Sequence, residues 1–453
     1  MVKSAQPSGG GRGNWKNFAT TDAEEEAYDY VKWRVNPKPT GFMGSVAHLI
    51  KGALGAGILS GHVAFMKAGL VSAPFVFLFG IYMTYCLYML VASAQVLFKR
   101  TRVSSMSYPD VGEAAMACFP NPRVAKWSTV FRYSIDAIIC LDLFGACACY
   151  QLIIAKSIKQ LVEDTQKPTI AGLGPGYPDL RIYLAAMIIP MICICLITHL
   201  KWLAPFSIAA NAVVLLCIFI TIYYASVNNP SLKGMQASTS LYSFFEFVGM
   251  TVFSMSCVGV VIPIENNMKN PKLYPKALVT GMACNIIAVF MVSFFGYAGY
   301  LQDCESPITV NFPMTTFPKI LKGLIAMMIY VTHALNFWVP FNLVFYYLKS
   351  LHKQEHEYKW ELIYRAIIVV IIAIVAIVFP SINALMGFLG TFCLSNMAFI
   401  WPNMIYLMVV WQRPGLGKYK WRLWRSVILI FIGIFIFVCG SIVSINELAT
   451  IFI

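Results

Sequence analysis

The chain has 453 residues, 59% hydrophobic and only 12% charged, with a mean hydropathy of +0.69. Soluble domains carry about 25% charged residues, so a water-soluble core of this size is excluded. The net charge of +14 does not mark a nucleic-acid surface, because the basic residues sit between hydrophobic stretches rather than along one polar face.

Residues 1–40 are polar, glycine-rich from Ser8 to Gly13 and acidic at Asp22, Glu24, Glu25 and Glu26. They hold no apolar stretch suited to a cleavable signal peptide, and too little apolar surface to offset the entropy of chain ordering. A disordered cytoplasmic tail is expected there, with a transmembrane domain over 41–453.

A helix needs roughly 20 apolar residues to cross a bilayer. Such stretches lie near 43–67, 71–98, 127–157, 181–200 and 205–227, then near 242–264, 277–301, 319–349, 363–379, 383–411 and 425–446. The expected fold class is an all-α membrane protein of about eleven spans. The basic clusters at 99–102, at Lys269, Lys272 and Lys276, and between Arg413 and Arg425 fall on one side. By the positive-inside bias they put the amino terminus in the cytoplasm.

The first and sixth spans differ from the others. Gly52, Gly55 and Gly57 occupy the middle of one, and Ser254, Ser256 and Gly259 the middle of the other. Two interrupted spans, each opening a set of five, point to an inverted-repeat secondary transporter with its site at the membrane midplane. A zwitterion there needs donors for its carboxylate and acceptors for its ammonium, and freed backbone groups supply both. Glycine lets the ligand approach the chain closely. The carboxylate side is assigned to Gly52, Ala53, Gly55, Ala56 and Gly57, with Ser254, Met255 and Ser256 completing the cradle. Freed carbonyls are expected to face the ammonium.

Two residues are candidates for carrying a coupling proton, the one co-reactant expected; no other cofactor is. Histidine is the side chain that ordinarily changes charge near neutrality, and His48 shares a helical face with residues 52, 55 and 59. Asp142 sits near the centre of the third span, where a charged carboxylate costs roughly 2.5 to 3.5 kcal/mol and protonation relieves the cost. Its face also carries Gly145, Ala146 and Cys149, which let another helix come close. Arg132 and Asp136, one turn apart, are expected to form a local ion pair. His62, Lys67, His199 and His333 are ambiguous between pathway and packing roles.

Of 13 cysteines, all but Cys118 and Cys304 fall within spans. No intrachain disulfide is expected, and Cys304 is expected to react with an impermeant reagent from outside. The loops hold no nucleophile–base spacing and no metal-ligand cluster, so an enzyme is not indicated.

Four blocks carry a resemblance. The stretch His48–Leu59 (HLIKGALGAGIL) resembles the amino acid/auxin permease family, in particular its proton-coupled amino acid transporter group. Residues 258–271 (VGVVIPIENNMKNP) are similar to that family's sixth-span ending, 334–340 (ALNFWVP) to its eighth-span centre and 387–402 (GFLGTFCLSNMAFIWP) to its tenth span. The resemblance implies a five-plus-five inverted repeat, small neutral amino acids such as glycine, alanine and proline as substrates, and proton symport across a plasma or lysosomal membrane. It also makes His48 the proton acceptor of its motif. The chain departs from the family at Gly61 and His62, where relatives have Leu-Pro, at Ser256, where many have glutamate, and at Asp142 and Leu143, where many have Thr-Gln. These departures keep open a second reading, an amino-acid sensor with little coupled transport.

Overall fold

Long apolar runs can satisfy their backbone groups in lipid only by coiling on themselves, and among the described residues the chain forms helices and no strand. The computed structural model describes Trp15 and residues 21–34, 36, 38–53, 55–165, 178–197, 204–227 and 234–450. Among the described residues eight stretches are long and apolar enough to cross a membrane. The three other expected spans coincide with the broken first span, with the short apolar stretch Leu180–Cys195, and with a helix described in full only over Ala212–Val227.

The first span is two helices, α2 (Phe42–Ala53) and α3 (Gly61–Ala68), joined through a 3-10 turn at Ala56–Leu59. The sixth is likewise two, α11 (Leu241–Met255) and α12 (Val258–Asn266), parted at Ser256 and Cys257. Between them run α4 (Ala73–Thr101), α5 (Tyr108–Ala117), α6 (Pro122–Ala125), α7 (Ser128–Glu163), α8 (Leu180–Ala186), α9 (Ile188–Cys195) and α10 (Ala204–Val227). After them come α13 (Tyr274–Tyr300), α14 (Thr316–Leu348), α15 (Glu357–Val378), α16 (Ile382–Phe388), a π-helical stretch (Leu389–Ile400), α17 (Trp401–Val410) and α18 (Trp421–Ala449). Within the apolar 18-residue core of each stretch, 83% of residues are buried in Ile382–Val410, against 28% in α15 and 33% in the stretch containing α18, so the π-helical stretch is central and those two helices are peripheral.

Glycines bring the central backbones into contact. A β-carbon on Gly390 would lie 1.9 Å from the Gly249 carbonyl oxygen, and one on Gly249 would lie 2.5 Å from that of Gly387. No larger residue fits this crossing of α11 over the π-helical stretch. Gly145 plays the expected part on α7, where a β-carbon would sit 2.5 Å from Leu389.

The entry to the first span and the exit from the sixth are bonded together. Thr40 donates its amide to Asn267 O at 2.8 Å and accepts from the amide of Lys269 at 2.9 Å.

The amino-terminal segment differs from expectation. Residues 1–14 and 16–20 lie outside the described residues, but Thr21 and Glu24 form a capping box that opens α1 (Asp22–Ala27). Beyond it Tyr30 is buried against Phe98, and burial beside Glu265 pushes its phenol up to about 12. Arg34 reaches Glu265 at 2.8 Å and the carbonyl of Ser104 at 2.8 Å, and Glu25 pairs with Arg100 and Arg413. Composition indicated no packing there because the anchors are a few charged and aromatic residues rather than an apolar run.

Arg132 likewise departs from a purely local pairing. It reaches Asp136 only at 3.9 Å, whereas Asp110 and Glu113 on α5 lie at 2.6 and 2.7 Å. Asp136 instead accepts a hydrogen bond from Tyr347. Cys304 is buried with its thiol against the carbonyl of Gly296, which overturns the expected labelling from outside.

Candidate functional site

Two adjoining cavities lie where the broken spans meet. The larger, about 410 Å³, is lined by Thr40, His48, Lys51, Gly52, Gly55, Leu59, Tyr150, Val260, Asn267 and Asn336, among others. The smaller, about 130 Å³, is lined by Gly52, Ala53, Gly55, Gly57, Asp142, Tyr150, Phe253, Ser256 and the start of α12. Gly52, Gly55, Tyr150, Val260 and Asn336 line both, so the two form one path.

The first break falls at Gly55 and the second at Ser256 and Cys257, residues that support a continued helix poorly. Gly55 adopts an extended conformation and donates its amide back to Ala53 O at 2.9 Å. The 3-10 turn and α12 both begin without a side-chain cap, and the first residues of α12 line the smaller cavity, so the positive end of that helix dipole stands at the cavity wall. Such an end is a site for a carboxylate.

Five of the eight predicted cradle residues line the cavities: Gly52, Ala53, Gly55, Gly57 and Ser256. Ala56 begins the 3-10 turn, and its side chain lies outside the described residues. Ser254 and Met255 do not line either cavity but stand behind the site. The Ser254 hydroxyl is shared between the carbonyls of Gly57 and Met250, 2.8 Å from each, which ties the first break to the sixth span. Met255 is fully buried, and Asn285 donates to its carbonyl at 3.1 Å.

His48 lines the larger cavity at its mouth, beside Thr40, Lys51 and Asn267. Residues 48, 52, 55 and 59 all line that cavity, so the predicted face survives although the helix stops between them. Asp142 lines the smaller one; its Oδ1 is sealed from solvent and takes no hydrogen bond among the described residues.

Sequence reasoning missed Tyr150. Its hydroxyl accepts from Asn336 Nδ2 at 2.7 Å and would lie 3.2 Å from a β-carbon on Gly55. An aromatic in the middle of an apolar span gives no signal of its own. Asn336, in the resembling block of the eighth span, did.

The other three ambiguous residues that can be described are structural. His62 is buried, its Nε2 2.8 Å from Glu305 O and near Asn311. His333 is buried between Gln151 and Cys195. Lys67 pairs with Glu246 at 2.9 Å and with Glu447, joining α3, α11 and α18 at the end of the path remote from His48. His199 lies outside the described residues.

A chain that is helical throughout its described residues, with first and sixth spans broken around a shared cavity, has the architecture of a secondary carrier, a class in which broken ends hold a small solute partway across the membrane. Residues 38–446 match the family model described as transmembrane amino acid transporter protein, and the chain belongs to that family. It is 32% identical over 430 residues to the proton-coupled amino acid transporter-like protein pathetic of Drosophila melanogaster, covering 93% of this chain and 88% of that one. It is 21% identical over 417 residues to the amino acid transporter AVT1D of Arabidopsis thaliana, covering 91% and 71%. Among solved structures it is similar to MhsT in complex with L-phenylalanine, with 12% identity, a TM-score of 0.53, and 88% and 98% of the two chains covered. The inward-facing conformation of Mhp1 gives 13% identity, a TM-score of 0.53, and 92% and 94% coverage. These structures show a shared fold. The chain is therefore a multi-pass membrane protein of an amino-acid transporter family, and its relatives and fold neighbours are transporters rather than enzymes.

Proposed function

We propose that the chain is a proton-coupled symporter of small neutral amino acids of the glycine, alanine and proline type. The observation that carries this reading is the glycine-fringed compartment of about 130 Å³ between the two uncapped breaks. A compartment so narrow suits a short side chain, and its amide ends suit a carboxylate. The name of the Drosophila relative supports proton coupling. Of the two proton candidates, we assign the coupling proton to His48, because it stands at the cavity mouth where water has access.

That mouth lies beside Thr40 and Asn267, on the side of the basic clusters, so in this reading the carrier opens toward the cytoplasm. It serves a plasma or lysosomal membrane. Uptake of labelled glycine, alanine or proline into vesicles, driven by an imposed inward proton gradient, is the test. Flux indistinguishable from empty vesicles under that gradient would refute it. The strap from Arg34 to Glu265 on α12 favours a second reading, a sensor held in one conformation, which would bind amino acids without moving them.

A further inference from the structure

Asp142 is an acid placed where an acid is costly. It lines the smaller cavity beside Gly55, Ser256 and the start of α12, and among the described residues no hydrogen-bond donor reaches its buried Oδ1. Among the described residues it is also the one acidic side chain that lines either cavity. A carboxyl group left without a partner in a low-dielectric space either holds a proton or is balanced by a positive charge, and a substrate ammonium is such a charge.

The backbone acceptors expected to serve the ammonium are largely engaged. Ala53 O receives the Gly55 amide, Phe253 O the Ser256 amide, Met255 O the Asn285 side chain, and Gly57 O both Ser254 and Ser60. At the start of α12, which has no side-chain cap, the Val260 amide donates to Cys257 O, and those of Val258 and Gly259 remain for a carboxylate. At the mouth, His48 and Lys51 supply no negative charge. The compartment thus holds backbone donors at the start of α12 and the unpartnered Oδ1 of Asp142.

We infer that Asp142 accepts the ammonium group of the bound amino acid, and that its charge rather than backbone carbonyl oxygens selects amine-bearing substrates. The inference rests on the amino-acid reading above and moves Asp142 from proton carrier to substrate ligand. The zwitterion lies with its carboxylate on the amide end of α12 and its ammonium on Asp142, leaving the proton to His48.

Binding of labelled alanine to the purified full-length protein in lipid nanodiscs, with L-lactate as competitor at one fixed pH, tests this. Lactate keeps the size and carboxylate of alanine and replaces the ammonium with a hydroxyl. The wild type is expected to prefer alanine by roughly tenfold to a hundredfold, as for a hydrogen bond to a charged group. Asp142→Asn should weaken alanine by a similar factor and change lactate by less than about threefold, so the preference collapses. Asp142→Glu should restore part of it. If Asp142→Asn keeps the wild-type preference, the assignment is overturned while amino-acid binding stands. If both variants lose both ligands, the role is structural and the assignment fails. If the wild type binds no amino acid, the transport reading itself falls, a result distinct from the other two.

Discussion

At Gly57 a β-carbon would lie 2.6 Å from the Cα of Ser254. That neighbour is main chain and cannot rotate away, so Gly57→Ala must push the two breaks apart. Displacement of binding groups by about 1 Å commonly costs a hundredfold in rate, so Gly57→Ala is expected to reduce alanine uptake by at least about tenfold with normal amounts of protein in the membrane. Gly259 gives the contrasting case. Its β-carbon would meet nothing within 4 Å, yet the residue lines the smaller cavity. Gly259→Ala should fold normally and fill part of the compartment, keeping glycine uptake while lowering that of proline. Equal loss of both substrates would show that the wall at 259 does not set size. The glycines of the first break were legible in the sequence because few other residues give an apolar span a weak middle. Tyr150 was not legible, because its role depends on which helix crosses which, a fact that periodicity does not carry.

At the scale of elements, the broken helices followed from local chemistry, while the partners of charged residues did not. Arg132 illustrates this. Its neighbour one turn away is Asp136, but the chain folds α5 back so that Asp110 and Glu113 come closer. Removing one partner from a buried ionic cluster usually costs about 3–5 kcal/mol, and Arg132→Met leaves two carboxylates facing each other on α5. A clear drop in melting temperature of the purified protein is expected; an unchanged melt would mean that α5 is held by its apolar contacts alone. The amino-terminal strap invites a related test. Arg34→Ala removes the ion pair to Glu265 and the bond to Ser104, and should make residues 21–34 cleaved markedly faster by added protease.

For the molecule as a whole, composition alone was enough to establish a multi-spanning helical protein, because few other folds can hold 59% hydrophobic residues. The number of crossings was less legible, since a broken or short span looks the same as a whole one in hydropathy. Orientation is open to direct measurement despite the burial of Cys304. Gln302 and Lys38 are exposed on opposite sides of the path. With the amino terminus cytoplasmic, Gln302→Cys should react in intact cells with an impermeant maleimide and Lys38→Cys only after permeabilisation; the reverse pattern would invert the topology.

The pairing of Thr40 with Asn267 and Lys269 has a mechanical consequence. Because α2 and α12 are stitched at their outer tips, neither half-helix can swing without dragging the other. Their pivots are the two breaks, at Gly55 and at Ser256–Cys257, which also line the cavities. Any shutter over the mouth therefore moves as a single flap, and in the proposed reading a bound amino acid would brace both hinges at once.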